Sequence, residues 1–515
     1  MMISSRVRGW IFPVLLASPL LSGAESLPPS SADLPLLDPA AFDRSAAAHL
    51  LSRAGVGGTP EEIDALAAMG LEKAVASLLD PGSAAETSPE FEAAYTDRPS
   101  RPQLAGLDRT ERQKIQREHR QKDAKQFQEL RAWWFQRLVL TQRPLEEKMT
   151  LFWHGHFATS QRDVRNSHHM WLQNRLLRTH ALGSFRDLLR AVAKDPAMLE
   201  YLDNNKNVRR KPNENFAREL LELFTLGIGN YTEMDIKEAA RAFTGWTFEG
   251  SSFVFRRRAH DDGEKTFLGR RGNFTGDDIV NAILEEPAAS RFIARKLFVF
   301  FAHEEPPAPV LEAIAKELHG ANFEVRPALR LLFTSAEFYS ARSRGSQIKA
   351  PAQLVAGTLR LLGVDPGASA AFANMSGQMG QDLFLPPNVK GWDGGRSWIS
   401  TSALFDRYGF SAPLLGLERG PRNEPGTRGA GAGRGALRGL PRWDRSAGAE
   451  RVLGKDHDKL GAEEAVDRVI RRFLLVPPAS DARVKLIELY READPETRVE
   501  RIIHLVLSSP EYQLG

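Results

Sequence analysis

Cysteine is absent from the 515-residue chain, which excludes a disulfide framework, a thiolate nucleophile and every cysteine-ligated metal at once. Stability must then come from a buried apolar core, which a chain of this length is long enough to build. Past residue 24 no stretch is apolar for the ~20 residues that a membrane span requires. A strong charge of either sign is also missing. Lys and Arg number 69 against 65 Asp and Glu, a formal balance of +4, and this falls to +2 without Arg6 and Arg8. Such a balance gives no case for a nucleic-acid partner. Runs of alternating β-branched residues are scarce, so few or no strands are expected.

What stands at the start is the pattern of an exported chain. Arg6 and Arg8 precede an uncharged stretch from Gly9 to Leu21, followed by the small residues Ser22, Gly23 and Ala24. A signal peptide over residues 1–24 is expected, with cleavage after Ala24 and a periplasmic or secreted mature chain. Residues 25–41 are rich in Pro and Ser and read as a tether. The main domain is expected over 42–415, a flexible Gly/Arg-rich linker over 416–450, and a helical segment packing on the main domain over 451–515. The linker carries seven arginines against four acids, a mild charge that suits a plain spacer. The predicted fold class is mainly α, a multi-helix globular array with a weak internal repeat.

The repeat lies on either side of the linker. In the first copy Ile293, Leu297, Phe300 and Phe301 mark a helix face, Pro306-Pro307 follows, and LRLLFTSAEFY closes the unit. In the second, Val466, Val469, Ile470, Phe473 and Leu474 mark the face, Pro477-Pro478 follows, and IHLVLSSPEYQ closes it. Thr334 with Glu337 and Ser508 with Glu511 have capping-box spacing, which predicts structural roles for both glutamates.

Chemistry is sought between Pro144 and Trp246. In PLEEKMTLFWHGHFATS, His154 and His156 are two apart; an extended backbone would put both imidazoles on one face, and Gly155 would weaken a helix there. That pair is the candidate ligand set for a divalent metal. In KPNENFARELLELFTLGIGNYTEMDIKEAARAFTGW, Asn213 is the expected N-cap and Gly227 the expected C′ residue of a helix that is apolar over most of its surface. Its narrow polar stripe holds Glu214, Asn215, Arg218, Glu219 and Glu222. Arg218 is four residues from both Glu214 and Glu222, so a salt-bridge ladder competes with a catalytic reading of Glu214, Arg218, Glu219 and Glu222. Thr232 and Asp235 predict the start of a further helix, which ends near Trp246. In PPNVKGWDGGRSWISTS, Lys390, Trp392, Arg396 and Trp398 share a Gly-rich loop. Exposed tryptophans there would stack on a sugar ring; buried ones would pin the loop. Asn213, Asn215 and Trp246 complete the binding candidates.

The blocks HLLSRAGVGGTPEEI, FWHGHFATS, NENFARELLELFTLGIGNYTEMDIKEAARAFTGW and PPNVKGWDGGRSWIST, in this order, resemble the bacterial family catalogued as domain of unknown function 1800. The resemblance covers roughly residues 45–410, with the C-terminal repeat included, and implies an exported helical protein without an established reaction. It also implies a partner, since genes of this family commonly neighbour those of domain of unknown function 1501, which resembles sulfatases and alkaline phosphatases. The Gly/Arg-rich stretch looks like a local elaboration. Two functions compete. One is a non-catalytic module binding glycan or a partner through the tryptophan loop. The other is a metal-dependent hydrolase of envelope or extracellular polymer, with His154 and His156 as ligands and Glu214 or Glu219 as base.

Overall fold

A computed structural model describes residues 34–82, 88–94, 99, 101–367, 370–417 and 443–515. The expected signal peptide, most of the tether and most of the Gly/Arg-rich linker lie outside the described residues. The fold is mainly α, with two small antiparallel hairpins, Trp246–Glu249 with Ser252–Phe255 and Lys265–Phe267 with Arg270–Gly272. Among the described residues, no helix is long and apolar enough to cross a membrane.

The helices begin where short polar side chains can satisfy their free amides. Asp43 accepts from Ala46 N at 2.8 Å to open helix Arg44–Ala54. Thr59 and Glu62 form a reciprocal capping box, with Pro60 at the first helical position. Thr232 and Asp235 do the same for helix Glu233–Ala242, as the spacing predicts. The long helix Arg109–Leu140 is exposed along most of its charged first half and buried at its apolar end, where Leu130, Trp134 and Phe135 are inaccessible.

The core has two parts. One gathers the N-terminal helices, helix Pro144–His156 and the first repeat; the other gathers the end of the long helix, helix Pro351–Leu362 and the second repeat. At their junction Glu147 is 1% exposed. Its oxygens receive Arg178 at 2.5 and 3.0 Å, Trp134 Nε1 at 3.2 Å, and the Arg137 guanidinium. Burial pushes this carboxyl up, but Arg178 and Arg137 outweigh it and hold it below its usual range.

Each repeat is a three-helix unit, Pro287–Phe301, Ala308–Gly320 and Val325–Thr334 in the first, Ala462–Phe473, Ser480–Glu492 and Arg498–Leu507 in the second. Leu329, Leu332 and Phe333 are buried as are their counterparts Ile503, Val506 and Leu507. The predicted capping boxes are corrected. Thr334 is the last residue of its helix and returns its hydroxyl to Arg330 O at 2.9 Å. Ser508 Oγ donates to Tyr408 O, while Glu337 binds His303 Nε2 and Arg342 Nη2, each at 2.8 Å. The capping hydroxyls are one residue later in both copies. Ser335 accepts from Phe338 N and Ser509 from Tyr512 N, each at 3.3 Å.

Two boundaries differ from expectation. Leu34 is buried and Leu37 N donates to Thr334 O at 2.9 Å, so the described end of the tether is packed against the first repeat. Helix Arg445–Leu453 starts within the stretch assigned to the linker, because Asp444 caps it and Gly448 leaves room for the Trp443 ring.

Candidate functional site

Helix Pro144–His156 continues through Gly155, so His154 and His156 leave it in different directions. His154 Nε2 accepts from Phe384 N at 3.1 Å, and the ring packs among Trp134, Phe384 and Trp392. His156 Nε2 donates to Phe224 O at 3.0 Å, within a cage that includes Phe152, Phe157 and Phe224. Burial pulls both imidazoles down to about 3, so they are neutral at physiological pH. The expected metal pair is therefore corrected: two ring nitrogens engaged with backbone in separate packed environments do not converge on one ion. Among the described residues no group of three or more His, Asp or Glu side chains is placed to hold a metal.

The Phe224 carbonyl is available to His156 because it lies in the last turn of its helix, where carbonyls have no intrahelical partner. Helix Asn215–Glu219 passes into a π-helix over Leu220–Thr225, where the bonding pattern is i→i+5. Leu226 N reaches back to Leu221 O at 2.9 Å, Thr225 Oγ1 donates to Leu220 O at 2.6 Å, and Gly227 leaves the helix with φ 76°. The same change splits the acidic stripe. Arg218 pairs with Glu214 at 3.1 Å and with both oxygens of Glu233 at 2.9 Å. The wider turn takes Glu222 away from Arg218, and its Oε2 accepts from Tyr231 OH at 3.3 Å instead. Glu214 and Arg218 thus form a surface ion-pair ladder, the arrangement that competes with their catalytic reading, with Glu233 in the place expected for Glu222.

Glu219 and Glu222 are half-buried neighbours. Burial and the charge of Glu222 raise the Glu219 carboxyl above its usual range, while Arg218 and Lys390 pull the other way. Burial and Glu222 push the Tyr231 phenol up to about 12. Lys390 belongs to the tryptophan loop, so this loop faces the acidic helix. Trp392 is partly exposed and lies over Gly155, with its ring 5.5 Å from that of His154. Gly391 carries φ 82° and sits so close that a Cβ there would be 2.2 Å from Gly155 O. Arg396 is exposed in the turn Gly395–Trp398.

The remaining binding candidates are structural. Trp398 is 6% exposed and packs under Gly380; Trp246 is 3% exposed between Phe243 and Phe253. Asn213 Oδ1 accepts from Asn215 N at 3.0 Å, and Asn213 and Asn215 donate to the carbonyls of Asp203 and Leu202, both at 3.3 Å. They tie the start of the helix to the preceding turn. What is left at the surface is the partly exposed Trp392, and Lys390 of the same loop acting on the Glu219 and Glu222 pair.

Over residues 49–514 the chain matches the family described as Protein of unknown function (DUF1800). It belongs to that family. No curated protein and no solved structure matches the chain.

In this DUF1800 chain the sequence reading missed a set of buried cations. Arg53, Lys148, Lys349 and Arg407 are each less than a tenth exposed. No Asp or Glu carboxylate among the described residues lies within 4.0 Å of any of the four. Desolvation pulls Lys148 and Lys349 down to about 7 and Arg53 to about 9. The signal available was a lone lysine in each of two apolar runs, KMTLFW and IKAPAQLVAG.

Proposed function

We propose that this protein is a non-catalytic accessory module of the envelope or extracellular space that binds glycan at Trp392. The observation that carries the reading is the partly exposed Trp392 indole, fixed against Gly155 and His154 in the loop whose Lys390 charge acts on Glu219. An indole face covers the apolar side of a sugar ring, and carboxylates and an ammonium at its edge receive and donate hydrogen bonds to hydroxyls. A fixed ring also loses little freedom on binding.

The export pattern of residues 1–24 supports a location outside the cytoplasm, and the family's usual gene neighbour supports a sulfatase-like exported partner. The hydrolase alternative loses its ligand pair, because His154 and His156 face apart. Affinity electrophoresis through gels containing purified peptidoglycan fragments or acidic exopolysaccharide tests the glycan reading. At least one polymer is expected to retard the wild type, with Trp392→Ala weakening binding about ten-fold and Trp392→Phe less. Equal migration of wild type and Trp392→Ala in every polymer defeats it.

A further inference from the structure

A second region has the geometry of a ligand site and lies apart from Trp392. Helix Arg44–Ala54, helix Pro351–Leu362 and the end of helix Ala462–Phe473 line a half-open cavity of about 540 Å³. This falls within the roughly 300–1,000 Å³ typical of small-molecule pockets. Much of its wall is apolar, with Ala48, Val56, Ile63, Leu361, Ile470 and Phe473 among the lining. Its buried polar lining includes Ser52, Lys349 and Gln353, which are 2%, 8% and 8% exposed.

Lys349 stands out there. Its ammonium donates to Tyr512 O at 2.7 Å and lies 4.0 Å from the centre of the Tyr512 ring, with no Asp or Glu carboxylate among the described residues paired to it. The wall's two acids are engaged elsewhere. Asp43 caps its own helix, and Asp467 is held bidentately by Arg483 at 2.6 and 2.7 Å. Behind the wall, Lys148 donates to the Gln353 side chain at 2.9 Å and Arg53 to the carbonyl of Ser343, so both basic groups are held by neutral acceptors. A buried cation is costly unless it is paired.

We infer that this cavity binds a small amphipathic organic anion, its apolar body against Ile470 and Phe473 and its carboxylate or phosphate head on Lys349. The Ser52 hydroxyl lines the cavity with Lys349 as a neutral donor, while Gln353 Nε2 is engaged with Ser52 O at 2.9 Å and Gly515 packs against the same three side chains. Downward displacement of the Lys349 pKa by burial fits a cation that lacks an anionic partner.

Isothermal titration calorimetry on the full chain tests this with decanoate, decyl phosphate and decanol as probes. At least one acidic probe is expected to bind ten-fold or more tightly than decanol, and comparison of the two acids identifies the preferred head. Lys349→Met is expected to abolish the preference for acid over alcohol. Ile470→Trp, which fills the apolar part, weakens all three probes. No binding of any probe, or equal affinity for acids and decanol in the wild type, overturns the proposal whatever the variants do. Persistence of the acid preference in folded Lys349→Met overturns the assignment of the head to Lys349.

Discussion

A buried histidine has two ring nitrogens to satisfy and a charge to avoid, and His154 and His156 do so in opposite ways. His154 accepts a backbone N–H, whereas His156 donates to a backbone carbonyl; both stay neutral. His49 is a third case, with its Nε2 2.9 Å from Phe338 O and its imidazole also drawn down to about 3 by burial and by Arg53. All three ionise near 6.5 once unfolded. Below that pH the unfolded chain takes up protons that the folded chain refuses, so their contribution to stability is complete above 6.5 and is lost as the pH falls towards 3. Each histidine contributes a slope of about 1.4 kcal/mol per pH unit in this window. Asp195 acts in the opposite sense. Burial pushes its carboxyl up to about 7, so the folded chain holds a proton there that the unfolded chain has released. The net effect is acid destabilisation between pH 6.5 and 5. Replacement of one histidine isolates its share: His156→Gln, which keeps a donor for Phe224 O, is expected to reduce the slope of unfolding free energy against pH by about 1.4 kcal/mol per unit. Urea unfolding at half-unit pH steps reads this difference, and an unchanged slope would mean that His156 is not neutral when folded.

At the scale of elements, the tryptophan loop and the two helices beneath it are joined by glycine rather than by specific side-chain bonds. Gly391 needs both its positive φ and its missing Cβ, since any side chain there would strike the Gly155 carbonyl. Gly155 needs neither. It has ordinary helical geometry, and a Cβ would meet Trp392 at 3.9 Å. Gly391→Ala is therefore expected to cost about 1–3 kcal/mol and to free the loop, while Gly155→Ala is neutral or stabilising by up to about 1 kcal/mol. Thermal unfolding with tryptophan fluorescence separates the two, and a benign Gly391→Ala would refute the close approach. Much of this architecture was legible in sequence. Capping pairs such as Thr232 with Asp235, the C′ position of Gly227 and the apolar faces of the repeat are local signals. Gly155 misled because its weak helix propensity is overridden by tertiary packing of Trp392 and by helical neighbours on either side. The π-helix had no local signature; the Phe224 carbonyl at its end is answered by His156, 68 residues away. The uncompensated charges of Lys148 and Lys349 were equally hidden, since a lysine's partners are set by the assembled core.

Across the whole molecule the two repeats close in parallel ways on one body. The first ends on Phe338, whose carbonyl is met by His49 of the N-terminal helix; the second ends on Tyr512, whose carbonyl is met by Lys349 at 2.7 Å. Tyr512 OH also bonds Thr358 Oγ1 at 2.6 Å, and Arg407 spans the carbonyl of Lys349 and the side chain of Gln513. Arg472 Nε donates to Leu361 O at 2.9 Å, so the second repeat is anchored along helix Pro351–Leu362 as well as at its end. Ile503, Val506 and Leu507 share one buried cluster with Leu354, Val355 and Leu359. A chain arranged in this way should behave as one cooperative unit even when its backbone is cut between the repeats. Insertion of a specific protease site near residue 430 tests the point. After cleavage the two fragments are expected to co-elute in size-exclusion chromatography and to unfold in a single urea transition, whereas the C-terminal fragment expressed alone, with its apolar face uncovered, is expected to aggregate. Separation of the cleaved fragments without denaturant would show that residues 443–515 are an independent domain and that the shared core does not hold the molecule together.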